Sequence, residues 1–242
     1  MTVATMNETI RYPDSFLGLS ELGKKPTPYK PTYQFAGSHI NENHKYYSSC
    51  PTGHKDIQVC IDIGIEGYLQ QGDAQKLYEL AYFSSGDILE LGTFCGLSTS
   101  IIAQAIFDAK KEISFETVDI DKDANEKAQK NVLSKTGRAP VKFNILDATE
   151  YLDKAIAAGK SYGFIFVDHW HGYEATYEAA MRAKKLLKNG GFCLFHDYND
   201  PANTDPEHVY GVYKGANDAM LCDPNFEFYG LFGCTALFRK SA

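Results

Sequence analysis

From about residue 70 onward, short apolar segments alternate with longer segments whose apolar residues recur at a helical spacing. The apolar segments predict strands at 86–92, 113–119, 141–145, 164–168, 192–196, 226–231 and 234–238. The intervening segments predict helices at 73–81, 99–109, 123–135, 149–158, 173–187 and 209–216. Strands that alternate with helices form parallel sheets, whereas the last two strands follow each other directly. We therefore expect an α/β fold: a doubly wound, mostly parallel seven-stranded sheet with an antiparallel C-terminal edge.

The first 57 residues differ from this pattern. They hold five of the nine prolines and show little periodicity. They are also rich in tyrosine and phenylalanine, whose aromatic surface favours packing against the main domain over disorder. We expect an irregular N-terminal extension at 1–57 that serves as a lid or an oligomer contact. The main domain is then predicted to span 58–242.

Composition excludes several classes of function. The net charge is −7 and no run of lysine or arginine occurs, which argues against nucleic acid or an anionic membrane as partner. No apolar stretch is long enough to span a bilayer, and the N-terminus lacks the features of a secretory signal. The six cysteines form no C-x-x-C motif, which is typical of reduced thiols. We expect a cytoplasmic protein that acts on a small molecule.

Two of the predicted strands end on a carboxylate. Asp168 follows the apolar run 164–167, and Asp197 follows the run that ends at His196. Ligands bind at the carboxyl ends of strands in open α/β sheets, and a pair of carboxylates there suits a hard divalent cation. His171 follows Asp168 by three residues, and imidazole titrates near neutral pH. The pattern indicates a metal site with a histidine placed to move a proton.

A second constellation lies at the ends of the first three strands. Gly92 and Gly96 stand at a strand-to-helix junction with a G-x-x-x-G spacing, which is not the G-x-G-x-x-G of nicotinamide binders. Asp119 ends the second strand, where an acidic group accepts hydrogen bonds from ribose hydroxyls. Asp121 is the alternative for that role, and we favour Asp119. Asp147 ends the third strand, in reach of an adenine amino group. Together they predict a nucleoside cofactor.

These motifs resemble those of a known family. Glu90-Leu-Gly-Thr-Phe-Cys-Gly-Leu-Ser and Phe166-Val-Asp-His-Trp resemble the corresponding motifs of catechol O-methyltransferases that use S-adenosylmethionine (SAM). The stretches that begin at Val167 and Leu187 are similar to a group of macrolide-sugar O-methyltransferases and cephalosporin-pathway methyltransferases. The resemblance covers roughly residues 70–200 and implies a Rossmann-like methyltransferase fold. It implies the following cofactor-binding residues: Glu90, Gly92, Thr93, Gly96, Ser98, Asp119, Asp147 and Asp168.

The resemblance also implies a divalent cation, usually magnesium, held by Asp168 and Asp197; manganese or another divalent ion is the alternative. This chain departs from its relatives at the third ligand. Catechol enzymes place asparagine just after the second aspartate, and this chain has Tyr198 there. The macrolide-sugar and cephalosporin-pathway group can use a carboxylate just before the second aspartate, and this chain has His196 there. His196 either binds the metal, which favours a softer transition ion, or stands behind the metal ligands and donates a hydrogen bond to one of them. We expect the metal ligands Asp168, His196 and Asp197.

The residue at the position of the catalytic lysine of catechol enzymes is His171, and in the sugar-methylating group a D-x-x-H histidine is the general base. We expect His171 to be the base and His169 and Trp170 to shape the pocket. The predicted activity is methyl transfer from SAM to a hydroxyl of a small-molecule acceptor. Transfer to nitrogen or carbon, a nicotinamide-dependent oxidoreductase and a non-catalytic binding module are the alternatives. A homo-oligomer is expected from the family alone.

Overall fold

We describe residues 22, 41–54, 57–137 and 141–241 in a computed structural model of the chain. Most of the predicted N-terminal extension lies outside these residues, so its role as a lid or an oligomer contact stays a prediction. Its described part is not irregular throughout. It contains helix α1 (Glu42–Ser48), strand β1 (Thr52–His54) and the start of strand β2 (Ile57–Ile61), which pairs with β1 in an antiparallel hairpin. The predicted boundary after residue 57 therefore cuts through a hairpin.

The main sheet has seven strands, as predicted. They are β3 (Asp87–Leu91), β4 (Phe115–Asp119), β5 (Val141–Ile145), β6 (Tyr162–Val167), β7 (Leu187–Phe195), β8 (Phe226–Phe232) and β9 (Thr235–Lys240). Their order is β5-β4-β3-β6-β7-β9-β8. From β5 to β7 in this order, each strand pairs in parallel with the next, whereas β9 pairs antiparallel with both β7 and β8. The prediction of a mostly parallel sheet with an antiparallel C-terminal edge is confirmed.

Helices cover both faces of this sheet. They are α2 (Gln71–Phe83), α3 (Leu97–Asp108), α4 (Lys122–Thr136), α5 (Ala148–Ala157), α6 (Tyr173–Leu186) and α7 (Val212–Met220). One buried cluster joins α2 and α3 to one face of the sheet, with Val132 of α4 among its members. The second buried cluster joins α5, α6 and α7 to the other face. Among the described helices, none has the length and apolarity needed to cross a bilayer.

Two predicted boundaries differ from the structure. Helix α7 begins at Val212, three residues later than predicted, because the backbone N–H of Gly211 donates to the carbonyl of His171 and Val209 is exposed. Strand β7 begins at Leu187 rather than 192, so the predicted helix end at 187 becomes the strand start. The pairing of β7 with β6 shifts register between Tyr162 and Phe164, which accommodates the glycines at 190 and 191.

The order of the strands determines where a ligand binds. The chain runs outward from β3 to β4 and β5, then returns to add β6 and β7 on the other side of β3. In sheets of this kind a crevice opens at the carboxyl edge, where the direction of winding reverses. The polar residues that end β3, β4, β6 and β7 therefore converge at one place.

Candidate active site

A cavity of about 520 Å³ opens at this carboxyl edge. It is lined by nine of the eleven residues that the sequence singled out: Gly92, Thr93, Ser98, Asp119, Asp147, Asp168, His171, His196 and Asp197. His169 and Trp170, which were expected to shape the pocket, line it as well. Clefts that bind small molecules typically measure about 300–1,000 Å³, so this cavity is large enough for a small-molecule ligand.

The glycines at 92 and 96 serve different purposes. Gly92 lines the cavity with φ +96°, and a methyl group on its Cα would overlap the carbonyl oxygen of Asp168 and lie 2.5 Å from its carbonyl carbon. Gly92 therefore lets the end of β3 approach the end of β6. Gly96 has φ +85° and faces Ala128 in α4, where a methyl group would lie 3.0 Å from the Ala128 Cα. Gly96 does not line the cavity, and its small size serves helix packing.

Asp119 connects the glycine turn to the next strand. Its Oδ2 accepts hydrogen bonds from the backbone N–H groups of Thr93 (2.9 Å) and Phe94 (2.7 Å). Its Oδ1 accepts one from the N–H of Asp121, also at 2.9 Å. The side chain of Asp121 caps α4 instead and does not line the cavity. Of the two carboxylates considered for the ribose, only Asp119 thus faces the cavity.

The other two acidic residues of this half are placed differently. Asp147 lines the cavity and also caps α5 through the N–H groups of Thr149 and Glu150. Glu90 is fully buried beneath the glycine turn and does not line the cavity. It accepts hydrogen bonds from the hydroxyls of Ser98 and Thr99, at 2.5 and 2.6 Å, and burial raises its pKa to about 7 despite these bonds. Glu90 therefore supports the turn from below.

Two aspartates and two histidines meet at the ends of β6 and β7. Nε2 of His171 lies 3.2 Å from Oδ2 of Asp197 and 3.6 Å from Oδ1 of Asp168. Nδ1 of His196 lies 3.0 Å from Oδ1 of Asp168 and 3.3 Å from Oδ1 of Asp197. Ligand atoms of Asp168, His171 and Asp197 all lie within 4.8 Å of one another. The ligand atoms of these three side chains lie close enough together to face one centre, and His196 contacts both carboxylates beside them.

The charges in this cluster compensate one another. Burial alone would lower the pKa of both histidines, but the carboxylates of Asp168 and Asp197 outweigh it and raise the pKa of His171 and of His196. Burial likewise opposes ionisation of Asp168, yet the charge of His196 and the hydrogen bonds from both histidines lower its pKa to about 2. Two protonated imidazoles or a divalent cation would each balance the two carboxylates.

The structure brings His196 rather than Tyr198 to the carboxylates. Successive side chains of a strand point to opposite faces, but β7 ends at Phe195 and Asp197 adopts a left-handed backbone conformation with φ +54°. The side chains of His196 and Asp197 therefore both reach Asp168. Tyr198 is buried on the far side, where its hydroxyl donates to Oδ1 of Asn217 at 3.0 Å.

Residues that the sequence did not single out complete the site. Tyr210 stacks on His171 with a ring-centroid distance of 5.0 Å, and its hydroxyl lies 3.4 Å from Oδ2 of Asp197. The segment 67–69, just before α2, also lines the cavity. Exposed apolar side chains, among them Phe94 and Ile120, also line the cavity. Tyr210 lies about forty residues beyond His171 in the sequence, and no sequence pattern pairs the two.

A sheet of this order with a ligand cavity at its reversal point defines the Rossmann-like methyltransferase fold. Residues 89–198 match the family model described as a methyltransferase domain. The segment includes the glycine turn, Asp119, Asp147 and the Asp168–Asp197 pair.

Solved structures confirm the fold. The O-methyltransferase TomG from Streptomyces achromogenes, involved in tomaymycin synthesis and crystallised with SAM, aligns with a TM-score of 0.62 at 18% identity. The alignment covers 86% of this chain and 100% of TomG. An O-methyltransferase from Bacillus cereus in complex with SAH aligns with a TM-score of 0.61 at 14% identity, covering 87% of this chain and 94% of that one. No curated protein sequence matches the chain significantly.

Proposed function

We propose that the protein is a SAM-dependent O-methyltransferase that acts on a hydroxyl of a small-molecule acceptor. One observation carries this proposal: a single cavity joins a half suited to a nucleoside to a cluster of carboxylates and imidazoles, within a methyltransferase domain. A nucleoside-binding half alone would suit many proteins. The cluster beside it supplies groups that orient a hydroxyl and remove its proton.

The nucleoside half is formed by the glycine turn, Asp119 and Asp147. Backbone groups at Gly92 and Thr93 would face the methionine part of SAM. A carboxylate has about four lone-pair sites, and Asp119 uses three of them on backbone N–H groups. Its remaining site lies toward the cavity and accepts a ribose hydroxyl. SAM supplies an electrophilic methyl group on a positively charged sulfur.

The other half would hold a divalent cation through Asp168, Asp197 and His196. The residues fit such an ion, because Nδ1 of His196 lies 3.0 and 3.3 Å from oxygens of the two carboxylates, and the half-buried carboxylate pair carries negative charge that a cation would balance. When bound, the ion would lower the pKa of the acceptor hydroxyl and fix its direction. Magnesium is the ion that the resemblance predicts.

His171 takes the proton of the hydroxyl at Nε2. This nitrogen faces both carboxylates, so a hydroxyl held beside them lies within its reach. Stacking on Tyr210 fixes the plane of the ring. Alignment of the hydroxyl oxygen with the departing sulfur then depends on positioning, which supplies a large part of the rate.

The test combines one substitution with product analysis. His171→Ala is expected to lower turnover by about 10²–10⁴-fold, the usual contribution of a general base, and to leave the SAM dissociation constant unchanged within threefold. His208→Ala is the matched control, since His208 is an exposed histidine that pairs with Asp205 and lies edge-on to Tyr210 with 6.5 Å between ring centroids. Within the described part of the chain, His208 forms no ion pair or hydrogen bond with Asp168 or Asp197. The assay follows label from SAM into a panel of phenols, catechols and sugars.

Each result has a clear meaning. Undiminished turnover of His171→Ala at saturating acceptor removes His171 from the role of base. Full activity after exhaustive chelation removes the metal. Label found on nitrogen or carbon in the product replaces O-methylation by another transfer on the same fold.

A further inference from the structure

We propose that the Asp168–Asp197 site selects a first-row transition-metal ion over Mg²⁺, because His196 binds the ion through Nδ1 while Asp73 holds the opposite ring nitrogen. This inference rests on the metal part of the proposed function. It differs from the magnesium expectation in the class of ion, and it adds Asp73 as a positioning residue.

The distances around His196 suit coordination by one ion. Ligands that surround an octahedral ion at about 2.1 Å stand about 3.0 Å apart along each edge. Nδ1 of His196 lies 3.0 Å from Oδ1 of Asp168 and 3.3 Å from Oδ1 of Asp197. The two separations that involve Nδ1 of His196 are therefore close to that edge length, and the His196 side chain is almost completely buried.

The chemistry of the donors determines the class of ion. Mg²⁺ keeps several waters and binds carboxylates, whereas imidazole suits iron, nickel, copper and zinc better; Mn²⁺ opens the same first-row series and serves as its spectroscopic probe. His196 occupies a place beside the carboxylate pair that an oxygen ligand would need for a magnesium site. An imidazole fixed in that place weakens the preference for Mg²⁺ and strengthens that for a transition ion.

Asp73 lies on the other side of the His196 ring. A histidine that binds metal through Nδ1 carries its proton on Nε2, and that proton is commonly directed at a carboxylate. Nε2 of His196 is buried without a hydrogen-bond partner among the described residues, and Oδ2 of Asp73 lies 3.8 Å away. This distance exceeds a hydrogen bond by about 0.6 Å, so a small movement of the ring would form one.

Asp73 is held rigidly in that position. Its Oδ1 accepts hydrogen bonds from the N–H of Cys234 (2.9 Å) and the hydroxyl of Thr235 (2.8 Å), and its Oδ2 accepts one from the N–H of Gln70 (2.8 Å). The side chain is completely buried. A fixed carboxylate behind the ring keeps the proton on Nε2 and leaves Nδ1 free for the ion.

The experiment measures metal binding directly on the full chain after treatment with a chelator. Mn²⁺ is titrated by electron paramagnetic resonance, Mg²⁺ is added as competitor, and ¹⁴N modulation of the bound Mn²⁺ reports imidazole ligation. The wild type is expected to bind Mn²⁺ at least tenfold more tightly than Mg²⁺ and to show the modulation. In His196→Glu, which replaces nitrogen by oxygen, the ratio falls at least tenfold and the modulation disappears.

Asp73→Asn tests the positioning role. It is expected to weaken Mn²⁺ binding about 10–100-fold, as loss of a partner behind a metal ligand does. Thr235→Val removes one of the hydrogen bonds that hold Asp73 but keeps its charge, so it is expected to weaken Mn²⁺ binding less than Asp73→Asn does, and His208→Gln should stay within threefold of the wild type. The SAM dissociation constant serves as the control for folding and for the proposed function in every variant.

Several results would overturn the inference. They are a wild type that binds Mg²⁺ as tightly as Mn²⁺, one that binds neither ion, or a modulation that survives His196→Glu and is lost in His171→Ala. Mn²⁺ affinity that is unchanged in Asp73→Asn overturns the role of Asp73. If SAM still binds in these cases, the proposed methyl transfer stands and this inference fails; a wild type that binds neither ion also removes the metal from the proposed function. If the wild type does not bind SAM, the proposed function fails as well.

Discussion

Gly92→Ala tests whether the site depends on close contact between the ends of β3 and β6. The new methyl group would overlap the Asp168 carbonyl oxygen and lie 2.5 Å from the carbonyl carbon, about 1 Å closer than carbon atoms normally approach. The left-handed backbone costs an L-residue about 1–2 kcal/mol. Overpacking adds about 1–3 kcal/mol. We expect Gly92→Ala to lower the free energy of unfolding by about 2–5 kcal/mol.

Gly137→Ala separates the two contributions. Gly137 ends α4 with φ +67° and has nothing within 4 Å of the position of a new methyl group, so only the backbone cost of about 1–2 kcal/mol applies. Urea unfolding of both variants gives the difference, which measures the overlap at Asp168. We also expect Gly92→Ala, but not Gly137→Ala, to raise the SAM dissociation constant at least tenfold. Equal losses of stability in the two variants would refute the reasoning.

Two further predictions concern carboxylates. Burial opposes ionisation of Glu116, but Lys160 and Lys142 lower its pKa to about 2 in the folded protein, against about 4.3 in the unfolded chain. The ionised Glu116 therefore stabilises the fold above about pH 4.3, and this stabilisation is lost as the pH falls toward 2. Glu116→Gln should lower the free energy of unfolding in urea by about 1–2 kcal/mol at pH 7 and leave it unchanged near pH 2. The loss at pH 7 is modest because Lys142 is exposed and solvent screens its interaction with Glu116. A loss that does not depend on pH would contradict this. Asp119→Asn should weaken SAM binding about 10–100-fold in calorimetry, whereas Asp121→Asn should stay within threefold; the reverse order would assign the ribose to Asp121.

The fold was predictable because its signals are local. Alternation of apolar strands with amphipathic helices determined the parallel sheet, and the missing helix before β9 predicted the antiparallel edge. The start of α7 could not be read from spacing, since Val209 continues the apolar pattern of the helix. A hydrogen bond from Gly211 to His171, forty residues away in sequence, holds that segment in a loop. Contacts of this kind outweigh the local pattern.

The site could be predicted from the sequence where its residues lie directly after the carboxyl ends of strands. Asp119, Asp147, Asp168 and Asp197 follow strands of one parallel sheet, so their convergence is a consequence of topology. Glu90 also belongs to this edge, but it lies one residue inside the strand end and is directed into the protein. Tyr210, Asp73 and the segment 67–69 come from outside the strands, and their positions depend on tertiary packing that no spacing reveals.

The backbone at Asp197 connects the sequence to the chemistry of the site. In an extended strand His196 and Asp197 would point to opposite faces, and only one of them would reach Asp168. The left-handed conformation at Asp197 turns the chain so that both do, and aspartate tolerates that conformation better than most residues. A β-branched residue at 197 would lose both the carboxylate and the turn. The fold thus supplies one member of the cluster from the end of β6 and two from consecutive residues after β7, and the position of the second of these depends on a single backbone angle.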